Sequence, residues 1–386
     1  STLEAYFQGK RELFKGLDIE KLEKEWTVRP VLHIDLNGQE YKSRQDLEDM
    51  LNSYLAKWEK MYGCETSEKS ASLRFSAIIR NAAKQTGQNV AILIDEYDKP
   101  LIQAIGNEKL QDEYRNTLKA FYGNLKSCDG YIKFAILTGV TRFSRVSIFS
   151  DLNNLNDITM DDNYSALCGI TEKELKGNFE PDIRQLAEKM NISFDETCNR
   201  LKKLYDGYHF TENGEGMYNP FSLLNVFAND ELNNYWFGSG TPTYLIEMLR
   251  KFHVLPSEVG HSMQAMAASF DAPTERMTTI TPLLYQSGYV TIKDYDKYTE
   301  LYTLDIPNRE IRVGLMQSLL PNYLAYNTDM GLTTIGRMYG AIRLGDMDGA
   351  LRLLQEFLST VPYCDNTNYE GHYQQLFYII SVSYTH

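Results

Sequence analysis

Apolar positions recur with two different periods along the chain, and they divide it into an alternating strand–helix first half and a mostly helical remainder. From Ser1 a helical pattern carrying Leu13 and Leu17 runs to about Gly16. Val31-Leu32-His33-Ile34-Asp35-Leu36 then reads as a strand, closed by Asn37-Gly38. Ser43 opens a helix with Leu47, Leu51, Tyr54, Leu55 and Trp58 at helical spacing, and a further helix spans about Ser70 to Thr86. The most apolar stretch is Val90-Ala91-Ile92-Leu93-Ile94. A run that is apolar on both faces and ends in acids is the pattern of a buried parallel strand. Helices over 100–105 and 110–125 lead to a second such run, Ile132 to Leu137. The alternation predicts a parallel sheet covered by helices on both faces.

Beyond about residue 165 the pattern is helical, with helices predicted over 172–176 and 182–204. Asn219-Pro220 and Thr241-Pro242 each pair an N-cap residue with a proline at the first helical position, so each marks a helix start. Leu283 to Gly288 leads into Tyr289 to Ile292, a polar turn at Asp294 to Lys297, and Leu301 to Ile306. Pro307-Asn308 ends this hairpin, and Glu310 to Leu320 is helical. Helix, hairpin and helix in that order suggest a winged-helix-like unit. Thr334 to Leu358 reads as two helices joined at Gly345-Asp346.

Composition narrows the classes. A chain of 386 residues, 43% hydrophobic and 24% charged, is an ordinary globular protein of two or three domains. No apolar run approaches the roughly 18 residues of a membrane span, and Ser1 to Lys15 lacks the zones of a secretory signal. The expectation is a cytoplasmic protein with no membrane partner. Five widely spaced cysteines without a C-x-x-C pair argue against a disulfide framework or a structural zinc site. The six histidines show no metal-ligand spacing. A net charge of −13 disfavours nucleic-acid binding by the chain as a whole. The local clusters Lys10, Arg11 and Lys15, then Arg142 and Arg145, then Arg200, Lys202 and Lys203, read as solvated faces.

The chemistry concentrates in Ile92-Leu93-Ile94-Asp95-Glu96-Tyr97-Asp98-Lys99-Pro100. Apolar residues followed by Asp-Glu form a Walker B pattern. A rigid buried strand delivers Asp95 to its carboxyl end as a ligand for the Mg²⁺ that bridges nucleotide phosphates. Glu96 would then orient and deprotonate the attacking water. The competing reading is two solvated acids at a strand end. The next buried strand ends in Leu137-Thr138-Gly139-Val140-Thr141-Arg142-Phe143-Ser144. Thr138 occupies the position of a polar sensor, and Arg142 lies within loop reach of a phosphate whose charge it would stabilise. The alternatives are a β-branched strand residue and a surface salt bridge. Asp35 ends its own strand, where a strand-end cap is the favoured reading.

These two strand ends, with Tyr205-Asp206-Gly207-Tyr208-His209-Phe210, Tyr218-Asn219-Pro220-Phe221-Ser222 and Trp236 through Thr241-Pro242, resemble the bacterial AAA-ATPase-like family. The resemblance runs from Ser1 to about Tyr369. It implies an α/β fold, a P-loop NTPase (AAA-like) parallel-sheet core followed by a helical lid and a winged-helix-like region. The implied domains are an AAA-like core over 1–165, the lid over 166–245, the winged-helix-like region over 246–325, and 326–386 as a helical linker. That last segment would also begin a truncated PD-(D/E)XK nuclease-like domain, with Glu370 matching its first-helix glutamate. The family carries a Walker A loop ending in Gly-Lys-Ser before the first helix, whereas G-x-x-x-x-G-K-[ST] occurs nowhere in these 386 residues. The resemblance therefore implies ATP and Mg²⁺ as cofactors of an intact parent, disabled in a fragment, with Asp95 at the metal and Glu96, Thr138 and Arg142 as catalytic residues. A homo-oligomer would fit fold analogy. The alternative is a non-catalytic module that contacts a protein or DNA. In that case the helix Glu310 to Leu320, whose only basic residue is Arg312, favours protein.

Overall fold

The computed structural model describes residues 1–63, 70–140, 149, 152, 154–239, 243–260, 263–270, 277–319, 328–359 and 369–384. The chain divides into two compact units: residues 1–156 with 271–277, and residues 157–270 with 278–386.

The first unit is α/β. Its strands β1 (Val31–Asp35), β2 (Val90–Asp95) and β3 (Ile132–Leu137) are parallel in the order β1-β2-β3. Its helices are α1 (Thr2–Phe7), α2 (Asp18–Leu22), α3 (Arg44–Tyr62), α4 (Ala71–Thr86), α5 (Lys99–Gln103), α6 (Glu108–Tyr122) and α7 (Asn124–Ser127). The apolar run of β2 is explained by its central place, since Val90 to Ile94 are all buried. Ile92 and Ile94 join Leu32 and Ile34 of β1 in one core with Leu47, Leu51, Leu55 and Trp58 of α3 and Phe75 of α4. The rings of Phe75 and Phe121 stack 4.4 Å apart at its centre. Side chains alternate across a strand, so Ala91 and Leu93 fill the opposite face, where the ring of Phe7 in α1 approaches that of Phe134 in β3 at 5.2 Å.

The second unit is mostly helical. It contains α8 (Glu172–Asn178), α9 (Glu180–Met190), α10 (Phe194–Tyr205), α11 (Pro220–Asn229) and α12 (Thr243–Lys251). β4 (Met263–Met266), α13 (Ala267–Phe270), α14 (Thr281–Gln286), β5 (Thr291–Asp296), β6 (Leu301–Asp305) and α15 (Arg309–Leu319) follow. The last elements are α16 (Thr328–Arg343), α17 (Met347–Ser359) and α18 (Tyr369–Tyr384). The predicted hairpin is β5 and β6, but its turn falls at 297–300, because Asp294 to Asp296, read as the turn, pair with β6 and extend β5; β4 adds antiparallel to β6, giving the order β4-β6-β5. Four residues are too few for an alternation to stand out, so β4 left no mark in the sequence pattern. Among the described residues no helix is long and apolar enough to cross a membrane.

Three helices predicted as continuous are broken, one of them the run 110–125, which is divided at Gly123 between α6 and α7. The first stops at Phe7 because Gly9 turns the chain at φ 69°, where a Cβ would meet Val28 Cγ2 at 2.7 Å, and a 3₁₀ turn follows over Arg11–Phe14. The stretch 182–204 is split between α9 and α10. Asn191 takes a left-handed cap at φ 53°, and the Ser193 hydroxyl accepts the Glu196 N–H at 3.1 Å to start α10. Glu370 falls within α18, and the expected helix start at Thr241-Pro242 lies outside the described residues.

Candidate functional site

The carboxyl ends of β2 and β3 form the chemical centre of the first unit. Burial along β2 ends at Asp95, whose side chain is the first on the strand to reach solvent. One residue beyond β3, the Thr138 N–H donates to Ile94 O at 2.9 Å, which carries the ladder past the strand end. The Tyr97 N–H then donates to Thr138 O at 2.9 Å. These two backbone bonds fix Thr138 beside Asp95, and its hydroxyl donates to Asp95 Oδ1 in a short contact. The Glu96 N–H donates to the same oxygen at 3.1 Å.

Glu96 sits at φ 55°, in the left-handed region that costs a non-glycine residue about 1–3 kcal/mol. Among the described residues its Oε2 is buried without a hydrogen-bond partner. Burial pushes its carboxyl above the usual carboxylate range; Lys99 opposes the shift, and the charges of Asp98, Asp95 and Asp35 add to it. A carboxylate displaced in that direction is a better proton acceptor near neutrality.

Of the four residues singled out by sequence, Asp95, Glu96 and Thr138 come together at one turn, and Arg142 lies outside the described residues. Asp35 stands in register with Asp95 on the neighbouring strand. Its carboxylate accepts the Asn37 N–H at 2.8 Å, and its backbone N–H and C=O are both 3.1 Å from the Tyr54 hydroxyl. Sequence reasoning passed over Asp98. Its side chain is fully buried, and Oδ1 accepts the Val140 N–H at 3.2 Å. A Cβ on Gly139 would lie 2.5 Å from that oxygen and 2.7 Å from Tyr97 Cε1. Gly139→Ala is therefore expected to cost about 1–3 kcal/mol in denaturant unfolding, because two close neighbours must give way.

The donor set is made of oxygens. Among the described residues no three His, Cys, Asp or Glu side chains converge on one metal position. Mg²⁺ is commonly held by one or two carboxylates while substrate phosphates and waters fill its shell. Asp95, the Thr138 hydroxyl and the orphaned Glu96 oxygen suit such an ion and its bound water.

The aromatic motifs of the second unit do a different job. Tyr205 is fully buried, and its hydroxyl donates to Asn233 O at 2.8 Å. Gly207 at φ 99° has Pro307 O only 2.4 Å from where a Cβ would be, and Lys293 donates to both Gly207 O and Pro307 O, at 2.8 and 3.1 Å. Glu310, fully buried on α15, accepts from the Ser222 hydroxyl at 2.7 Å and from the Trp236 N–H at 3.0 Å. Ser222 of the second motif and Trp236 of the third thus meet at the Glu310 carboxylate, while Gly207 of the first is held by Lys293.

Comparison with known proteins bears on the whole chain. A model of the AAA-ATPase-like family, described as a predicted AAA-ATPase, matches residues 1–149. A protein of Azotobacter chroococcum mcd 1, described as an uncharacterized protein in the vnfD 5' region, is 34% identical over 390 residues, covering 98% of this chain and 72% of its own length. No solved structure matches the chain.

Proposed function

Because the chain belongs to the AAA-ATPase-like family, we propose that it is the core of a P-loop protein that binds and hydrolyses ATP with Mg²⁺. The observation that carries this reading is the Thr138 hydroxyl on Asp95, at the ends of adjacent parallel strands, with Glu96 on the following residue. In this reading Asp95 holds the metal, and the Thr138 hydroxyl keeps that carboxylate turned towards the strand ends. Glu96 takes the proton of the attacking water, for which its unpaired Oε2 is available. The bound Mg²⁺ supplies charge neutralisation for the transferring phosphoryl group. Arg142 is proposed as the cation that faces that group. The family pattern sets a phosphate-binding loop upstream of α1.

The test is calorimetry of Mg²⁺-ATP with this chain and with a version joined upstream to a Gly-x-x-x-x-Gly-Lys-Ser segment. Binding by the loop-bearing protein is expected. If both proteins are folded and neither binds, the interaction-module reading leads instead. In the loop-bearing protein Glu96→Gln is expected to lower kcat by about 100-fold or more with nucleotide affinity retained, the range for loss of a general base. A kcat within threefold of the parent would remove Glu96 from that role.

The alternative as a DNA reader has less support. α15 buries Ile311, Val313, Leu315, Met316 and Leu319, and its Arg312 pairs with Asp305 at 3.4 Å. Its basic residues are Arg309 and Arg312, and with Arg312 paired the helix offers little positive charge to a phosphate backbone.

A further inference from the structure

Asp98 is a carboxylate in an unusual situation. It is fully buried, and burying such a group is costly unless hydrogen bonds or charges compensate it. Capping α5 does not explain its presence. The helix start takes its carbonyl, which accepts the Leu101 and Ile102 N–H groups at 2.9 and 3.0 Å, and its side chain makes no cap hydrogen bond. The carboxylate reaches the other way, to the segment leaving β3, where Oδ1 accepts the Val140 N–H at 3.2 Å. Gly139 lies against the same oxygen so closely that a Cβ there would meet it at 2.5 Å.

These hydrogen bonds hold the segment 138–140. The Thr138 N–H goes to Ile94 O, its C=O receives the Tyr97 N–H, its hydroxyl goes to Asp95, and the Val140 N–H goes to Asp98. The first three act at Thr138 itself. The bond from Asp98 acts two residues on, at the point where the chain departs from the strand, and it sets the direction of that departure. Without it the segment after Thr138 loses an anchor, and only the bonds at Thr138 itself hold the hydroxyl on Asp95.

We infer that Asp98 is a positioning residue of this site, whose buried carboxylate holds the segment 138–140 so that Thr138 stays on Asp95. The inference rests on the proposed ATPase reading only for its catalytic consequence. Its structural content is separate and can be measured in the chain as it stands.

The first measurement is amide hydrogen exchange in the parent chain, Asp98→Ala and Asp98→Asn. Asp98→Ala is expected to speed exchange at Val140 by about tenfold or more, with the β2 and β3 interior amides unchanged, since only a local opening is introduced. Asp98→Asn keeps an acceptor oxygen and is expected to restore most of the protection. An unchanged Val140 rate in folded Asp98→Ala, or equal loss in the Asn and Ala variants, overturns the inference. Should Asp98→Ala fail to fold, Gly139→Ala presses on the same oxygen from the other side. It must then loosen Val140 for the inference to stand.

The second measurement is steady-state ATP hydrolysis by the loop-bearing protein. Asp98→Ala is expected to lower kcat about tenfold to 100-fold with KM for ATP within about threefold, because small misplacements at a reacting centre act on the transition state. Asp98→Asn is expected to recover most of kcat. A loss confined to KM overturns the positioning role. If the parent itself hydrolyses no ATP, the ATPase reading fails and the exchange experiment alone decides on Asp98.

Discussion

Replacing Asp95 by Ala in the loop-bearing protein is expected to weaken Mg²⁺-dependent ATP binding by at least about 100-fold and to remove measurable hydrolysis. The expectation follows from the position of the carboxylate. Asp95 ends a strand whose Val90 to Ile94 are all buried, so its Cα has no freedom to move, and the Thr138 hydroxyl and Glu96 N–H both point at Oδ1. A ligand held this firmly needs little reorganisation when the ion arrives. Losing a group that merely supports a ligand commonly costs 10–100-fold in metal affinity or activity, so loss of the ligand itself is placed at the upper end or beyond. A neighbouring carboxylate does not substitute easily. Asp35 stands opposite on β1, but its oxygen already accepts the Asn37 N–H at 2.8 Å. The measurement is the thermal shift produced by ATP with Mg²⁺, compared with ATP and a chelator, because a ligand that binds the folded state raises the melting temperature by mass action. The same shift in parent and Asp95→Ala would remove Asp95 as the metal ligand. A shift lost in the variant with its unliganded melting temperature kept would support it.

The second large effect is one of stability, at Glu310. Its carboxylate is fully buried and accepts from the Ser222 hydroxyl at 2.7 Å and the Trp236 N–H at 3.0 Å. Glu310→Ala strands both donors in the interior and leaves a cavity. The expected cost is about 3–5 kcal/mol in denaturant unfolding, from two donors left unpaired and the cavity of the lost side chain. Glu310→Gln is expected to stay within about 1.5 kcal/mol of the parent at neutral pH, since the Ser222 hydroxyl can turn to accept from the amide while the other oxygen keeps Trp236. Burial raises the Glu310 carboxyl above its ordinary value of 4.5; the Trp236 N–H, the Ser222 hydroxyl and the Tyr235 N–H pull it partly back. A raised value in the folded state means that the folded chain binds the proton more tightly than the unfolded chain. The contribution of this group is then fully present below its unfolded value and is lost as pH rises through the folded one. Parent stability relative to Glu310→Gln should therefore decline as pH rises across that window. A difference between the two that is flat with pH would show that the buried carboxyl titrates as it does in the unfolded chain.

The amino-acid sequence by itself determined the parts that depend on one element at a time. An apolar run with both faces filled gave a central strand at Val90 to Asp95, and the break from apolar to acidic marked its carboxyl end at Asp95 and Glu96. Ile132 to Leu137, read in the same way, pairs with it in parallel, and this brings Thr138 to Asp95. The opening of a helix at Ser43 and the proline start at Pro220 were local signals too, and the helices begin there. Tertiary structure decided the rest. Asp98 and Glu310 both looked like acids of polar segments, since periodicity reports which face of an element is apolar and carries no information on donors supplied from elsewhere. The donor for Asp98 comes 42 positions later, and the Ser222 hydroxyl lies 88 positions before Glu310. The breaks at Gly9 and Asn191 depended on backbone angles that a helical pattern does not contain, and β4 became a strand only because β6 presented an edge to it. A buried charge is placed by its partners, and the partners are chosen by the fold.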